Sequence, residues 1–157
     1  MSTQENLFLR SRLTTSDEAR ALQELLALEP IPNASETEPD EYGLRGPART
    51  VDGVVGYLIQ PNHHTVPDPG PEDRQAIDGY PVQIDIWLGR SGVTQPAEAR
   101  AVFDRLVRER PETPMLLCHD LDVLIAAYRP GRAVQEFAAG TTIDAPDIDQ
   151  WRDWVEG

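Results

Sequence analysis

The chain has 157 residues, 27 acidic against 14 basic, for a formal net charge of −13, and every basic residue is an arginine. Its length suits one domain with a genuine core, and an apolar fraction of 39% excludes a wholly disordered polymer. So negative a body repels phosphate backbones and anionic membranes and favours a basic partner met through electrostatic steering.

No run approaches the roughly 20 apolar residues that cross a bilayer, and the opening MSTQENLFLRSRL lacks the basic and apolar segments of a secretory signal. The single cysteine, Cys118, fits a reducing compartment. Cytoplasmic residence is the expectation.

Asn6 to Leu13 alternates Leu7 and Leu9 with Phe8 and Arg10 and reads as a short strand. Thr15-Ser16-Asp17-Glu18 has the spacing of a capping box, with acids where the helix dipole favours them. Ala19, Leu22, Leu25 and Leu26 then share one helical face up to the stop at Pro30. Residues 30–40, PIPNASETEPD, form a polar loop. Tyr42 to Val51 and Val54 to Gln60 predict paired strands joined at Asp52-Gly53, a preferred hairpin dipeptide. Pro61 to Gly79 predicts a long proline-rich loop or ordered excursion, and loops of that length are usually functional or mobile.

Tyr80 to Gly89 is the clearest strand: Val82, Ile84, Ile86 and Leu88 face one side, Gln83, Asp85 and Trp87 the other. The partly polar set predicts one wet face. Thr94 and Pro96 open a second helix that buries Ala99, Val102, Phe103 and Leu106 and ends before Pro111. Pro114 to Asp120 and Val123 to Tyr128 predict a hairpin turning at Asp120-Leu121-Asp122. Asp144-Ala145-Pro146 starts a last short helix whose Ile148, Trp151 and Val155 dock on the sheet. The whole reads as a single α+β domain over residues 1–157, ordered β-α-β-β-β-α-β-β plus a C-terminal helix. Runs of adjacent strands predict an antiparallel or mixed sheet with both main helices on one face.

Few residues look chemical. In a strand, Cys118 and Asp120 point one way and His119 the other, and Cys118 sits among carboxylates that disfavour a thiolate. His63 and His64 are adjacent in an extended segment, and no Cys-x-x-Cys or His-x-x-x-His spacing predicts a metal site. Phosphate-loop, dinucleotide and nucleophile-elbow motifs are missing from the sequence. No catalytic residue, metal ligand or cofactor is therefore assigned. Acids instead gather at Glu36–Glu41, at Asp68–Asp73, and at Asp144, Asp147, Asp149 and Asp153. All three sets fall on loops or helix starts, where binding determinants often sit. The expected partner-binding residues are Glu38, Asp40, Glu41, Asp68, Glu72 and Asp73 for steering, with Tyr80, Asp85 and Trp87 as contact residues.

The order of elements in NLFLRSRL-TTSDEARALQELLALE, EYGLRGPARTVDGVVGYLIQ, VQIDIWLG, AEARAVFDRLVRE and MLLCHDLDVLIAAYRPG, with tryptophan near the C-terminus, resembles the Sit-type immunity proteins of bacterial polymorphic and contact-delivered toxins. The likeness spans most of the chain and rests on element order rather than a motif. The Pro61–Gly79 excursion and the tail after Gly131 depart from it. It implies no catalytic residue; it implies stoichiometric binding and inhibition of a cognate toxin. The expectation is thus a non-enzymatic acidic immunity protein. The alternatives are a phage-type inhibitor or DNA mimic of a nucleic-acid enzyme, an accessory domain of a secretion or regulatory system, and a small metal-dependent hydrolase using His63, His64 and His119.

Overall fold

The computed structural model describes residues 3–31, 40–88 and 94–155. Those residues form eight strands and three α-helices: β1 (Glu5–Leu9), α1 (Thr15–Leu26), β2 (Glu29–Pro30), β3 (Tyr42–Pro47), β4 (Val54–Pro61), β5 (Val82–Leu88), α2 (Gln95–Glu109), β6 (Met115–His119), β7 (Val123–Tyr128), β8 (Gln135–Glu136) and α3 (Ile148–Val155). All strands belong to one antiparallel sheet ordered β2-β3-β4-β5-β1-β6-β7-β8. The fold is α+β, as the patterning predicted, with two short edge strands added. Each edge strand has only two residues, and Pro30 and Pro47 beside one edge lack the N–H that a further strand would need.

The N-terminal strand is central. Leu7 pairs with Ile84 on one side and Leu117 on the other, and all five residues of β1 are buried. Leu7 and Leu9, Val55, Tyr57 and Ile59, and Val82, Ile84 and Ile86 form one core with Leu22 and Leu26 of α1 and Val102, Phe103 and Leu106 of α2. Both main helices therefore share one face. The last helix takes the opposite one, where Trp151 and Val155 pack with Phe8, Ala76, Ile77, Tyr80, Leu116, Cys118 and Ile143.

Three local expectations change. The cap of α1 is Thr14, whose hydroxyl accepts from Asp17 N. Glu18, which the capping box would turn back on the first turn, points inward instead. There its carboxylate takes both Nη atoms of Arg110 at 2.5 and 2.7 Å and the Ser11 hydroxyl. The β3–β4 connection is a six-residue loop closed by Ala48 N to Gly53 O, not a two-residue turn at Asp52-Gly53. Glu98 in the first turn of α2 is the cause: its buried carboxylate accepts from the amides of Arg49 and Thr50 and from Thr50 Oγ1, so those amides leave the ladder. Lastly, the polar face of β5 is not wet, because Gln83 and Asp85 are only 1% and 5% exposed.

Candidate functional site

Pro61 to Gly79 is an ordered excursion. Asn62 fixes its base, donating from Nδ2 to the carbonyls of Ile77 and Tyr80 at 3.0 and 2.8 Å. Gly70 leads into a 3-10 turn at Pro71–Asp73, which exposes Glu72 and Asp73. That turn lies against a second 3-10 turn at Ala145–Asp147, which leads into α3. Gln75 bridges to Asp144 through the backbone and donates from Nε2 to its carboxylate at 3.0 Å, while Ala76 N reaches Ile143 O at 2.8 Å. Two acid-bearing turns some 70 residues apart in sequence thus meet: Glu72 and Asp73 come from the excursion, and Asp144 and Asp147 from the turn before α3. Thr142 holds the Asp147 carboxylate below its ordinary pKa, donating from its amide and its hydroxyl. A groove of about 310 Å³ runs beside the ridge; Val66, Pro69, Trp151 and Val155 are among its apolar walls, and Arg74 and Asp78 also line it. Val66 is half exposed.

The remaining predicted residues scatter. Glu38 lies outside the described residues. Asp40 is exposed and Glu41 half-buried just before β3, whose first residue, Tyr42, pairs with Ile59. Tyr80 is fully buried in the second core. Its ring lies under Arg10 at 4.8 Å, and burial pushes its phenol up to about 12. Tyr80 is therefore a packing residue in this structure and presents no surface to a partner. Asp85 is likewise inside, accepting from Asn6 Nδ2, Gln60 Nε2 and Gln83 Nε2, each at 2.8 Å. A carboxylate charge met by three amides is well satisfied, which suits a structural knot between β1, β4 and β5.

Trp87 stays half-buried on the same face, and its indole lies over Gly56 across the strand pair. A methyl group at position 56 would strike the ring. Gly56→Ala is expected to cost about 1–3 kcal/mol by overpacking. The cost should vanish in a Trp87→Val background, which denaturant titration of the four variants checks.

The histidines do not gather. His63 and His64 are exposed just beyond Pro61, which pairs with Val82, whereas His119 pairs with Glu5 opposite Ile86. The two places are separated by four strand residues, roughly 13 Å along the sheet. Among the described residues no group of three His, Cys, Asp or Glu side chains is placed to hold a metal ion. Cys118 is wholly buried and its thiol pushed up by burial, the opposite of what a nucleophile needs. Asp120 departs from strand alternation. Positive φ angles at Asp120 and Leu121 (51° and 55°) swing its carboxylate to Gln4 N at 2.8 Å and to within 3.6 Å of His119 Nε2.

Patterning alone missed Glu5. Its carboxylate, 2% exposed, meets His119 Nδ1 at 2.5 Å and Gln95 Nε2 at 2.6 Å. The Glu5 hydrogen bond raises the imidazole pKa, and the Glu5 and Asp120 charges add to it. A folded-state pKa above the unfolded value stabilises fully below about pH 6.5, and the gain is lost as pH rises through the raised folded value. The melting temperature should therefore fall over that interval, and His119→Gln should remove that component of the slope. Comparison with protein-family models, curated proteins and solved structures gives no match.

Proposed function

We propose that this chain is a non-enzymatic binding protein of the immunity type, which neutralises a basic bacterial toxin or enzyme by covering its active site. One observation carries the reading: the meeting of the turn bearing Glu72 and Asp73 with the turn bearing Asp144 and Asp147, an acidic ridge beside a groove with an exposed valine. Clustered carboxylates raise the rate of encounter with a cationic surface, and a few apolar contacts then hold the complex. Val66 in the groove and Trp87 on the sheet are accessible for that second role, while Tyr80 is not. The resemblance to Sit-type immunity proteins and the separation of the three histidines support the same reading. With one buried cysteine and no described helix long and apolar enough to cross a membrane, the proposed site of action is the bacterial cytoplasm.

The test is association with the product of the neighbouring open reading frame. Its toxicity should disappear on co-expression, and the association rate should drop as salt rises. Replacing Asp68, Glu72 and Asp73 together by Asn, Gln and Asn should slow association about tenfold or more while leaving the melting temperature nearly unchanged. An association rate indifferent to both salt and the triple substitution would overturn the reading.

A further inference from the structure

A second concavity lies on the other face of the sheet, at the opposite end from Pro61, where the excursion begins. It is a pocket of about 180 Å³ lined by Glu5, Pro96, Ala99, Leu117, His119 and Ile125. Its walls are aliphatic apart from one polar corner, and Ile125, 36% exposed, forms part of its rim. The register of β6 and β7 shifts beside Leu117 and Cys118, leaving Ile125 outside the regular pairing. An apolar cavity of about 150 Å³ holds a benzene ring, so this open one of about 180 Å³ has room for a single ring with small substituents.

The polar corner says which substituent. Nδ1 of His119 is held by Glu5 at 2.5 Å, which fixes the ring. Nε2 lies 3.6 Å from Oδ2 of Asp120, a carboxylate next to the pocket and outside its lining, too far for a direct hydrogen bond and close enough for one oxygen to contact both. That oxygen must accept from Nε2–H and donate to the carboxylate while the imidazole is charged, and donate to Nε2 once it is neutral. A hydroxyl does all of this. A carbonyl or an ether only accepts.

We propose that the pocket between α2 and the β6–β7 hairpin is a binding site for a single phenol ring, its hydroxyl seated between His119 and Asp120 and its ring against Ala99, Leu117 and Ile125. The site is separate from the acidic ridge and stands or falls apart from it. A free phenolic compound and the tyrosine of a protein partner carry the same group.

The experiment titrates the isotope-labelled full chain with 4-methylphenol, 4-methylanisole and N-acetyl-tyrosine amide, followed by NMR. With 4-methylphenol, shifts should concentrate at the Ala99, Leu117 and Ile125 methyls and the His119 ring, and 4-methylanisole should bind about tenfold more weakly. His119→Leu should abolish that difference, and Ile125→Ala, a surface change, should weaken all binding. Ala99→Leu should fill the pocket. If it fails to fold, the Ile125 variant reads the same wall. Amide binding as tight as 4-methylphenol assigns the pocket to a tyrosine side chain; binding of the free phenol alone assigns it to a small phenolic molecule. Equal affinity for phenol and anisole, shifts elsewhere, or no binding overturns the proposal.

Discussion

Arg110→Ala should destabilise this protein by about 3–5 kcal/mol, because it strands a carboxylate that water cannot reach. Glu18 is 1% exposed, and its partners are the two Nη atoms of Arg110 and the Ser11 hydroxyl. Removing the guanidinium leaves Ser11 alone against a full negative charge. Since a domain of this kind has only about 5–15 kcal/mol of total stability, the loss is a large fraction of the whole. Arg110→Lys should recover part of it, because an ammonium keeps the charge and loses the two-pronged contact. The double change Glu18→Leu with Arg110→Leu is expected to cost much less than Arg110→Ala, since it removes the buried charge together with its partner. Urea titrations of the four proteins decide the matter. A cost under about 1 kcal/mol for Arg110→Ala would place the pair with ordinary surface ion pairs and remove it as the tie between the start of α1 and the end of α2.

Trp151→Ala is expected to cost a comparable 3–5 kcal/mol and to act on the other face. Trp151 is 1% exposed among Ala76, Ile77, Tyr80, Leu116, Cys118 and Ile143. An eight-residue helix has no stability of its own in water, so α3 persists only while docked. Its C-terminal end is held by three arginines: Arg10 donates to Val155 O, and Arg129 and Arg132 donate to Asp153 O, where cations also suit the helix dipole. Without the indole those contacts should be too few to hold the helix. Amide exchange should then rise first in residues 148–155 and in the excursion around Gln75 and Ala76, ahead of Leu7 and Leu117. Uniform acceleration across the sheet would show instead that the two faces unfold as one unit. The same variant bears on the proposed function: if the ridge needs α3 in place, association with a basic partner should slow even though every carboxylate remains.

Much of the candidate ridge was legible as residue type. Asp68, Glu72, Asp73 and Asp144 fall on loops and helix starts by inspection, and the net acidity is what raises the expectation of a basic partner. Their meeting was not legible, because it depends on Gln75 pairing with Asp144, a contact across 69 residues. Tyr80 and Asp85 show the opposite failure. Strand alternation put Gln83, Asp85 and Trp87 on one face correctly. Whether that face is wet depends on the excursion and α3, which close over one end and leave Trp87 half open.

By itself the sequence determined the elements whose causes are local: α1 and α2 from helical periodicity, β5 from strict alternation, and the reversal at Asp120-Leu121-Asp122. Of the two helices, α2 stops before Pro111 as read, and α1 ends at Ala27, short of the expected stop at Pro30. It also determined which side chains of each element share a face, since the periods of helix and strand are properties of the backbone. Only the tertiary structure decided that the first strand lies at the centre of the sheet, that the last helix takes the face opposite the other two, and that Glu5, Glu18 and Glu98 point inward. A buried carboxylate is tolerated only where distant donors meet it, and Glu5 with His119, Glu18 with Arg110 and Glu98 with Arg49 and Thr50 are separated by 48 to 114 residues. No local pattern encodes a partner that far along the chain.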